Sequence, residues 1–436
     1  MNNLIKYINT NVLFKVAHLN NVAIFVKIIA GLITSKAIAF FIGVEGMALI
    51  GNLRNFVNAM QSVSMLGFYK GIVKTIATFR KDSLNLSKTL STTYYCCFFS
   101  TIILSLWCYY NASLISNVLF SSYYNFEYVI EIMAFALPFY ALNMMSFSIM
   151  NGFSNFKMLL VISIIGQISG LLVTIVLIYQ DHLDGALIAA VIAPSLMFLI
   201  TLVGIINRRN LMTFIKVDHI SSDILKLFGP YTGMALVTAV ALPVVSICIR
   251  NYIIDEVGMQ DAGYWEAMNR LSSYYLMFIT SIIMLYVVPK FSEIDTKSDF
   301  KKEIFGFYKT VMPIFGIGLI VLYVLKSFIV PLIFSDDFMP VENLFLWQLL
   351  GDFVKVLTLV ISYQFLAKKM FMHFIMLELF LVIVLYFSSI FFVNRYGVEG
   401  AVIGHFLSYL LHYVLVLLIF DKSLFGISQK KPQDHN

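Results

Sequence analysis

Polar and ionisable residues stand inside a stretch that is otherwise apolar. In LWQLLGDFVKVLTLVISYQFLAKK, Leu346 to Lys369, the residues Gln348, Asp352, Lys355, Thr358 and Ser362 are spaced 4, 3, 3 and 4. At about 100° per residue they share one helical arc of about 120°. A charge at membrane depth costs about 3 kcal/mol or more unless it meets water or a partner. Two chemistries fit. Asp352 and Lys355, at i and i+3, suit an ion pair that joins helices. Alternatively the stripe lines a cavity, where Asp352 takes up a coupling proton or binds a sodium ion.

Other polar residues recur at helical spacing. Arg54, Asn58 and Gln61 follow at 4 and 3, and Tyr69 continues their face if the helix runs on. Lys70 and Lys74 then point the other way, towards the inner interface, where long side chains snorkel. Asn20, Lys27, Gly31 and Thr34 form another stripe, with Lys36 on the opposite side. Arg250 follows Pro243, which is expected to interrupt its helix, and Arg270 lies about two turns into the next. Lys326 closes its run and reads as a snorkelling residue. His405, Ser408 and His412 share a face that suits either a proton path or interhelical hydrogen bonds. The deep bases are Lys27, Lys36, Arg54, Lys70, Lys74, Arg250, Arg270 and Lys355, and the clear acids are Asp352 and Glu378. An interior with that balance attracts anions, and the arginine fork matches phosphate. A phosphate-bearing substrate is expected, rather than an organic cation.

No Walker lysine loop, HExxH or GxSxG is present. An enzyme is therefore not expected, nor a metal site or cofactor, and transport would draw on a proton or sodium gradient or the membrane potential. Cys96, Cys97, Cys108 and Cys248 all sit in apolar runs and read as small buried hydrophobes.

These residues are carried by membrane helices. Of 436 residues, 60% are hydrophobic and 12% charged, about half the charge of a soluble domain. Apolar runs of spanning length occur at about 16–42, 50–77, 89–110, 128–150, 158–179, 185–206, 225–252, 263–288, 304–327, 343–366, 371–392 and 399–420. With the N-terminus inside, the inner segments hold eighteen Lys and Arg, and the outer loops only Arg395. That asymmetry predicts an even number of spans and both termini in the cytoplasm. The net charge of +6 then reflects inner loops, and no nucleic acid is expected. The opening MNNLIKYINTNVLFKVAH has no short apolar core with a small-residue cleavage site, so no removable signal peptide is expected. GVEGMALIGN (Gly43 to Asn52) and DAGYWEAMNR (Asp261 to Arg270) open spans two and eight. LDGALIAAVI and GVEGAVIGHF open spans six and twelve. The chain thus reads as all-α, with two six-helix halves, 1–215 and 216–436, around a central cleft.

The stretches LFLWQLLGDFVKV (Leu344 to Val356), GNLRNF (Gly51 to Phe56) and LPVVSICIRNYI (Leu242 to Ile253) carry a family likeness. The chain resembles the lipid-linked oligosaccharide flippases of the multidrug/oligosaccharidyl-lipid/polysaccharide exporter superfamily. The likeness is greatest to bacterial O-antigen and enterobacterial common antigen flippases, and it extends in pattern over all twelve spans. It implies two six-helix bundles in a V, working by alternating access as a monomer in the bacterial inner membrane. The implied substrate is an oligosaccharide on undecaprenyl diphosphate, carried from the cytoplasmic to the periplasmic leaflet. A polysaccharide polymerase and a chain-length regulator are the implied partners. Arg54, Arg250, Asp352, Lys355 and Lys74 match the family pattern, whereas Lys70 is peculiar to this chain. Substrate contacts are expected from Arg54, Arg250, Lys27, Asn58, Gln61, Arg270 and Lys74. Coupling or ion pairing is expected from Asp352, Lys355 and Glu378. A chain rich in Asn, Ile, Lys and Phe suggests an AT-rich gene, which favours O-antigen. A multidrug exporter of the same superfamily would want a more acidic lumen. A membrane-embedded polymerase or acyltransferase would want a reactive outer loop, but the longest, Asn111 to Glu127, has no Arg, Lys or His.

The orientation is tested with a reporter active only in the periplasm. Fusions after Asp181 or Gly397 are expected to be active, and fusions after Lys216 or Lys297 silent; the reverse pattern refutes the assignment.

Overall fold

A computed structural model describes residues 12–120, 125–205, 214–294, 296–368, 370–420 and 424. Of the charges used to orient the chain, Lys6, Arg208, Arg209, Lys369, Lys422, Lys430 and Lys431 lie outside the described residues. The described chain is all-α. In order the helices are α1 (Val12–Phe41), α2 (Gly43–Ser64), α3 (Tyr69–Phe79), α4 (Ser83–Tyr110), α5 (Ala112–Phe120), α6 (Glu127–Gly152) and α7 (Phe156–Ile205). They continue with α8 (Ser222–Glu256), α9 (Met259–Glu293), α10 (Lys297–Val324), α11 (Lys326–Ile333), α12 (Phe345–Ala367), α13 (Phe371–Tyr396) and α14 (Val398–Ile419). Helices suit this composition because each satisfies its own backbone polar groups without water.

Among the described residues, nine helices are long and apolar enough to cross a membrane. One of these is α7, whose 49-residue stretch Phe156–Gly204 is roughly 74 Å long at 1.5 Å per residue, over twice a bilayer core. It bends at Asp181 and His182, where the backbone leaves helical geometry, and so supplies two crossings. Large apolar side chains such as Phe25, Phe40, Tyr110 and Phe135 point outwards, as a lipid-facing surface requires. The protein is a polytopic membrane protein.

Two local expectations are corrected. The second apolar run is not one helix. It stops at Ser64 and restarts at Tyr69, with Leu66 and Gly67 in left-handed conformations (φ 51° and 63°). Carbonyls at this break accept from α4: Ser100 Oγ donates to Val63 O (3.3 Å), Thr101 Oγ1 to Ser64 O (3.1 Å) and Cys97 Sγ to Met65 O (3.8 Å). The break cancels the continuous face drawn from Arg54 to Tyr69, because the two pieces do not share one helical phase. In addition, α8 runs unbroken from Ser222 to Glu256 across Pro243. One lost N–H bond is tolerated inside a long membrane helix.

By packing, the chain forms two compact units, one of Met1–Tyr274 with Phe328–Val341, the other of Tyr275–Ser327 with Glu342–Asn436. The division falls within α9. The boundary at residue 215 expected from the internal likeness divides the chain by repeat, whereas this division is by packing. In the first unit Met65, Phe68, Ile72 and Ile76 pack with Leu86, Leu90 and Phe228. In the second, Ile283, Val287, Phe291 and Phe300 pack with Val356, Ile361, Phe365 and Val416. The strand of chain leading into α8 is fastened to α4. Lys216 N donates to Ser91 Oγ (2.9 Å), Ser221 N donates to Thr92 Oγ1 (2.9 Å), and Ser87 Oγ meets His219 Nδ1 (2.6 Å).

Gly67 generates a prediction. A Cβ there would lie 3.0 Å from Thr232 O and 3.1 Å from Ala235 Cβ, and the left-handed backbone strains any β-branched residue. Gly67→Val is expected to destabilise the chain by about 1–3 kcal/mol, and Gly67→Asn by less, because Asn visits this conformation more readily. Apparent melting temperatures of the purified chain in detergent check the order.

Candidate functional site

One carboxylate collects three guanidinium groups in the first unit. Glu266, on α9, accepts from Arg250 Nη2 at 2.5 Å and from Arg270 Nε at 3.0 Å, and Arg54 Nη1 lies 3.7 Å from its Oε1. Arg270 is one turn along the same helix, at i+4, where side chains meet. Arg250 comes from α8 and Arg54 from α2. The GNLRNF stretch is explained by this meeting. A Cβ on Gly51 would lie 2.6 Å from Glu266 Cδ, so the absent side chain is what admits the carboxylate. Asn52 accepts from Arg250 Nη1 (2.7 Å) and donates to Leu119 O (2.9 Å) and Asn251 Oδ1 (2.8 Å). Asn251 in turn donates to Val118 O (2.8 Å). Arg250 also lies over the Trp265 ring, 5.2 Å from its centroid, a cation–π contact.

The three bases differ in access. Arg250 and Arg270 are 1% and 3% exposed, while the Arg54 side chain is 41% exposed. Lys27, on α1, is exposed and within electrostatic range of Arg54. Asn58 is exposed and Gln61 buried. Lys74 lies elsewhere and donates to Tyr231 Oη at 2.8 Å, and Lys36 donates to Pro331 O at 2.8 Å. The structure therefore brings Arg54, Arg250, Arg270 and Lys27 into one electrostatic group. Arg250 and Arg270 are committed to Glu266 and the Arg54 fork is left accessible. Glu266 is a correction to the sequence reading, which counted only Asp352 and Glu378 as deep acids. Its i, i+4 spacing to Arg270 was the available signal. Even with Glu266, three guanidinium groups against one carboxylate leave two positive charges in excess.

Asp352 centres a second cluster, within the second unit. Its Oδ2 accepts from Tyr275 Oη and from Gln348 Nε2 (3.2 Å), and its Oδ1 lies 3.1 Å from His405 Nε2. A glycine again makes room, since a Cβ on Gly351 would lie 2.3 Å from His405 Cδ2. Lys355 Nζ sits 5.1 Å from the Tyr409 ring centroid and is hydrogen-bonded to that residue, with Asp352 and Glu378 as its charged neighbours. Glu378 is buried. Ser408 follows the interhelical reading of its stripe, its Oγ lying 2.9 Å from Ser388 Oγ. Lys326 donates to Glu342 O (3.3 Å). Among the described residues, no group of three or more His, Cys, Asp or Glu is placed to hold a metal ion.

The comparisons with known proteins agree with this architecture. A family model described as "Polysaccharide biosynthesis protein" matches residues 21–343. The Lipid III flippases of Escherichia coli (strain K12) and Shigella flexneri are each 25% identical over 396 residues, covering 91% of this chain and 95% of theirs. A solved structure of Lipid II flippase MurJ in an inward closed conformation matches with a TM-score of 0.69 at 16% identity, over 93% of this chain and 87% of that one. An inward-facing multidrug resistance MATE transporter of the MOP superfamily also gives 0.69, at 14% identity, over 91% and 95%. These relatives are described as flippases and transporters, not as enzymes.

The arginine cluster makes its own prediction. Removing one partner from a buried ion network typically costs about 3–5 kcal/mol, because the remaining charges stay buried without compensation. Glu266→Ala is therefore expected to lower the melting temperature and the folded yield sharply. Gly51→Leu is expected to do the same by displacing the carboxylate. Replacing the exposed Arg54 with Ala is expected to leave the melting temperature within a few degrees. Thermal unfolding of the three variants in detergent checks the contrast.

Proposed function

The chain belongs to the polysaccharide biosynthesis protein family, and from that premise we propose that it is a flippase of lipid-linked oligosaccharides. The substrate class proposed is an oligosaccharide repeat unit on undecaprenyl diphosphate, moved from the cytoplasmic to the periplasmic leaflet of a bacterial inner membrane. An O-antigen unit is favoured by a composition rich in Asn, Ile, Lys and Phe, which suggests an AT-rich gene; lipid III, named for the two relatives, is the alternative. Both termini are placed in the cytoplasm. Residues 1–215 and 216–436 are taken as two six-helix bundles in a V that alternates its opening, acting as a monomer beside a polymerase and a chain-length regulator.

The observation that carries this reading is the exposed guanidinium of Arg54. It is held beside Glu266 in a cluster with two positive charges in excess, and Lys27 is in electrostatic range. Such a fork offers two parallel N–H donors to a diphosphate in surroundings where counter-charge is scarce. Arg250 and Arg270 act behind it, by fixing Glu266 and raising the local positive potential. Asn58, exposed one turn beyond Arg54, suits a sugar hydroxyl. Gln61 and Lys74 complete the proposed contact set. The multidrug-exporter reading is supported by the likeness to the MATE transporter, but a cationic site of this kind repels the organic cations such an exporter would take.

Deleting the gene is expected to accumulate a diphosphate-linked intermediate on the inner leaflet. Accumulation of no such lipid, with altered drug sensitivity instead, would favour the exporter. Arg54→Ala at normal expression is expected to lower surface polysaccharide roughly tenfold or more, the worth of a charged hydrogen bond. Arg54→Lys should recover only part, since an ammonium has no fork. Full export by Arg54→Ala refutes the anion site.

A further inference from the structure

The outward side of α10 carries charge on a face that is otherwise suited to lipid. Lys302, Phe305, Lys309, Pro313, Ile317 and Ile320 are all exposed and follow at spacings of 3, 4, 4, 4 and 3. At about 100° per residue they lie within one arc of about 120°. The other side of the helix is fixed, because Phe300, Ile304 and Phe307 pack into the core of the second unit. The stripe therefore faces outwards. Its apolar part, with Ile317 and Ile320 62% and 64% exposed, suits acyl chains.

Lys309 lies too deep to be solvated by bulk water. Helix α10 ends at Val324, and a hydrocarbon core about 30 Å thick takes up about 20 residues of helix. With Val324 at one boundary, Lys309 lies roughly five residues, or about 8 Å, inside the other. An ammonium at that depth reaches back along its stem to the nearest phosphate layer. Lys302 stands about two turns nearer that boundary on the same stripe. Lys301 is beside it, with its ammonium 5.9 Å from the Phe305 ring centroid. Between the two stripe lysines is Gly306, where a Cβ would meet nothing within 4 Å. The missing side chain leaves the helix surface bare between two lysines, which is room for a headgroup.

The charge balance selects the sign of that headgroup. From Lys297 to Lys309 four lysines stand against two carboxylates. Asp299 is engaged by Thr296, whose hydroxyl donates to it at 2.6 Å. Glu303 accepts from Tyr286 Oη (3.2 Å) and lies 4.0 Å from Lys290 Nζ. Among the described residues, Lys302 and Lys309 have no carboxylate partner. A zwitterionic lipid brings its own ammonium with its phosphate. A net-negative lipid does not, and each lysine near the surface favours it about fivefold.

We propose that Lys302 and Lys309, with Lys301 beside them, bind the headgroup phosphate of an anionic phospholipid over Gly306. Its acyl chain lies along Pro313, Ile317 and Ile320. Phosphatidylglycerol is the lipid class. The site is on the lipid-facing side of the second unit, and it does not depend on the flippase reading.

The test reads lipid composition at the stripe. Ile317→Trp places an indole beside the middle of the acyl chain without touching a lysine. The full chain is reconstituted in phosphatidylethanolamine vesicles with a minority of phosphatidylglycerol, one lipid or the other brominated in mid-chain. Fluorescence of the chain without the substitution, from its three tryptophans, is subtracted. Brominated phosphatidylglycerol is expected to quench the added indole several-fold beyond its share of the bilayer. Lys302→Gln combined with Lys309→Gln is expected to return quenching to that share. Gly306→Leu is expected to lower the excess while the melting temperature holds or rises, since leucine favours helix over glycine. Quenching that follows bulk composition when all the lysines are present overturns the proposal. So does an excess that survives both lysine replacements. If undecaprenyl diphosphate at low mole fraction displaces the brominated lipid, the lysines serve that diphosphate instead and the proposal is overturned equally. Should the double lysine variant not fold, Gly306→Leu decides the matter, by lowering the excess or by leaving it in place.

Discussion

The first unit depends on one buried carboxylate. Glu266 lets Arg250 and Arg270 remain ionised out of water, and it draws Arg54 towards them. Without it, several guanidinium groups would face each other in low dielectric, where like charges repel strongly. Helices α2, α8 and α9 meet at this group, and Asn52 adds bonds from α2 to Arg250 and Asn251 on α8. The contacts around it are specific, because Gly51 leaves only the space the carboxylate occupies and Asn52 fixes the far side of Arg250. Desolvating so many charges is expensive, and a well-packed apolar core would serve stability as well. The network makes sense as a means of holding a cation at a defined place with its fork uncovered.

Each unit uses a glycine to admit a charged or titratable side chain to its cluster. In the first, a glycine admits an acid to a group of bases and leaves positive charge in excess. In the second, Gly351 admits His405 to Asp352, a carboxylate that also accepts from Tyr275 and Gln348. The positive surplus is costly on its own and is relieved by binding an anion. The chemistry proposed for the first unit thus follows from charge counting within it.

The sequence showed the helices and the polar stripes plainly, because lipid imposes long apolar runs and makes every interruption conspicuous. Arg54, Arg250 and Asp352 stood out for that reason. Glu266 did not, although its spacing to Arg270 was readable, because GYWEAMNR is polar enough to pass for a helix end at the interface. Its pairing with Arg250, sixteen residues away, and with Arg54 on another helix comes from tertiary packing that no local pattern encodes. Asp352 shows a similar limit. Spacing along α12 nominates Lys355 as its partner, but the missing side chain at Gly351 brings in a histidine from α14. The break after Ser64 was hidden because the apolar run continues through it, and only the left-handed backbone at Leu66 and Gly67 marks it.

That break has a mechanical meaning. A continuous helix behaves as a stiff shaft, and torque applied at one end reaches the other. The carbonyls at the end of α2 are held by α4, whereas α3 begins anew beyond a reversed bend and carries Lys74 to Tyr231. The orientation of α3 is therefore set by its own contacts and does not fix that of Arg54 through a continuous helix axis. The cationic fork and the lysine beyond the break are thus fastened to different neighbours, as two beams that meet at a joint rest on separate posts.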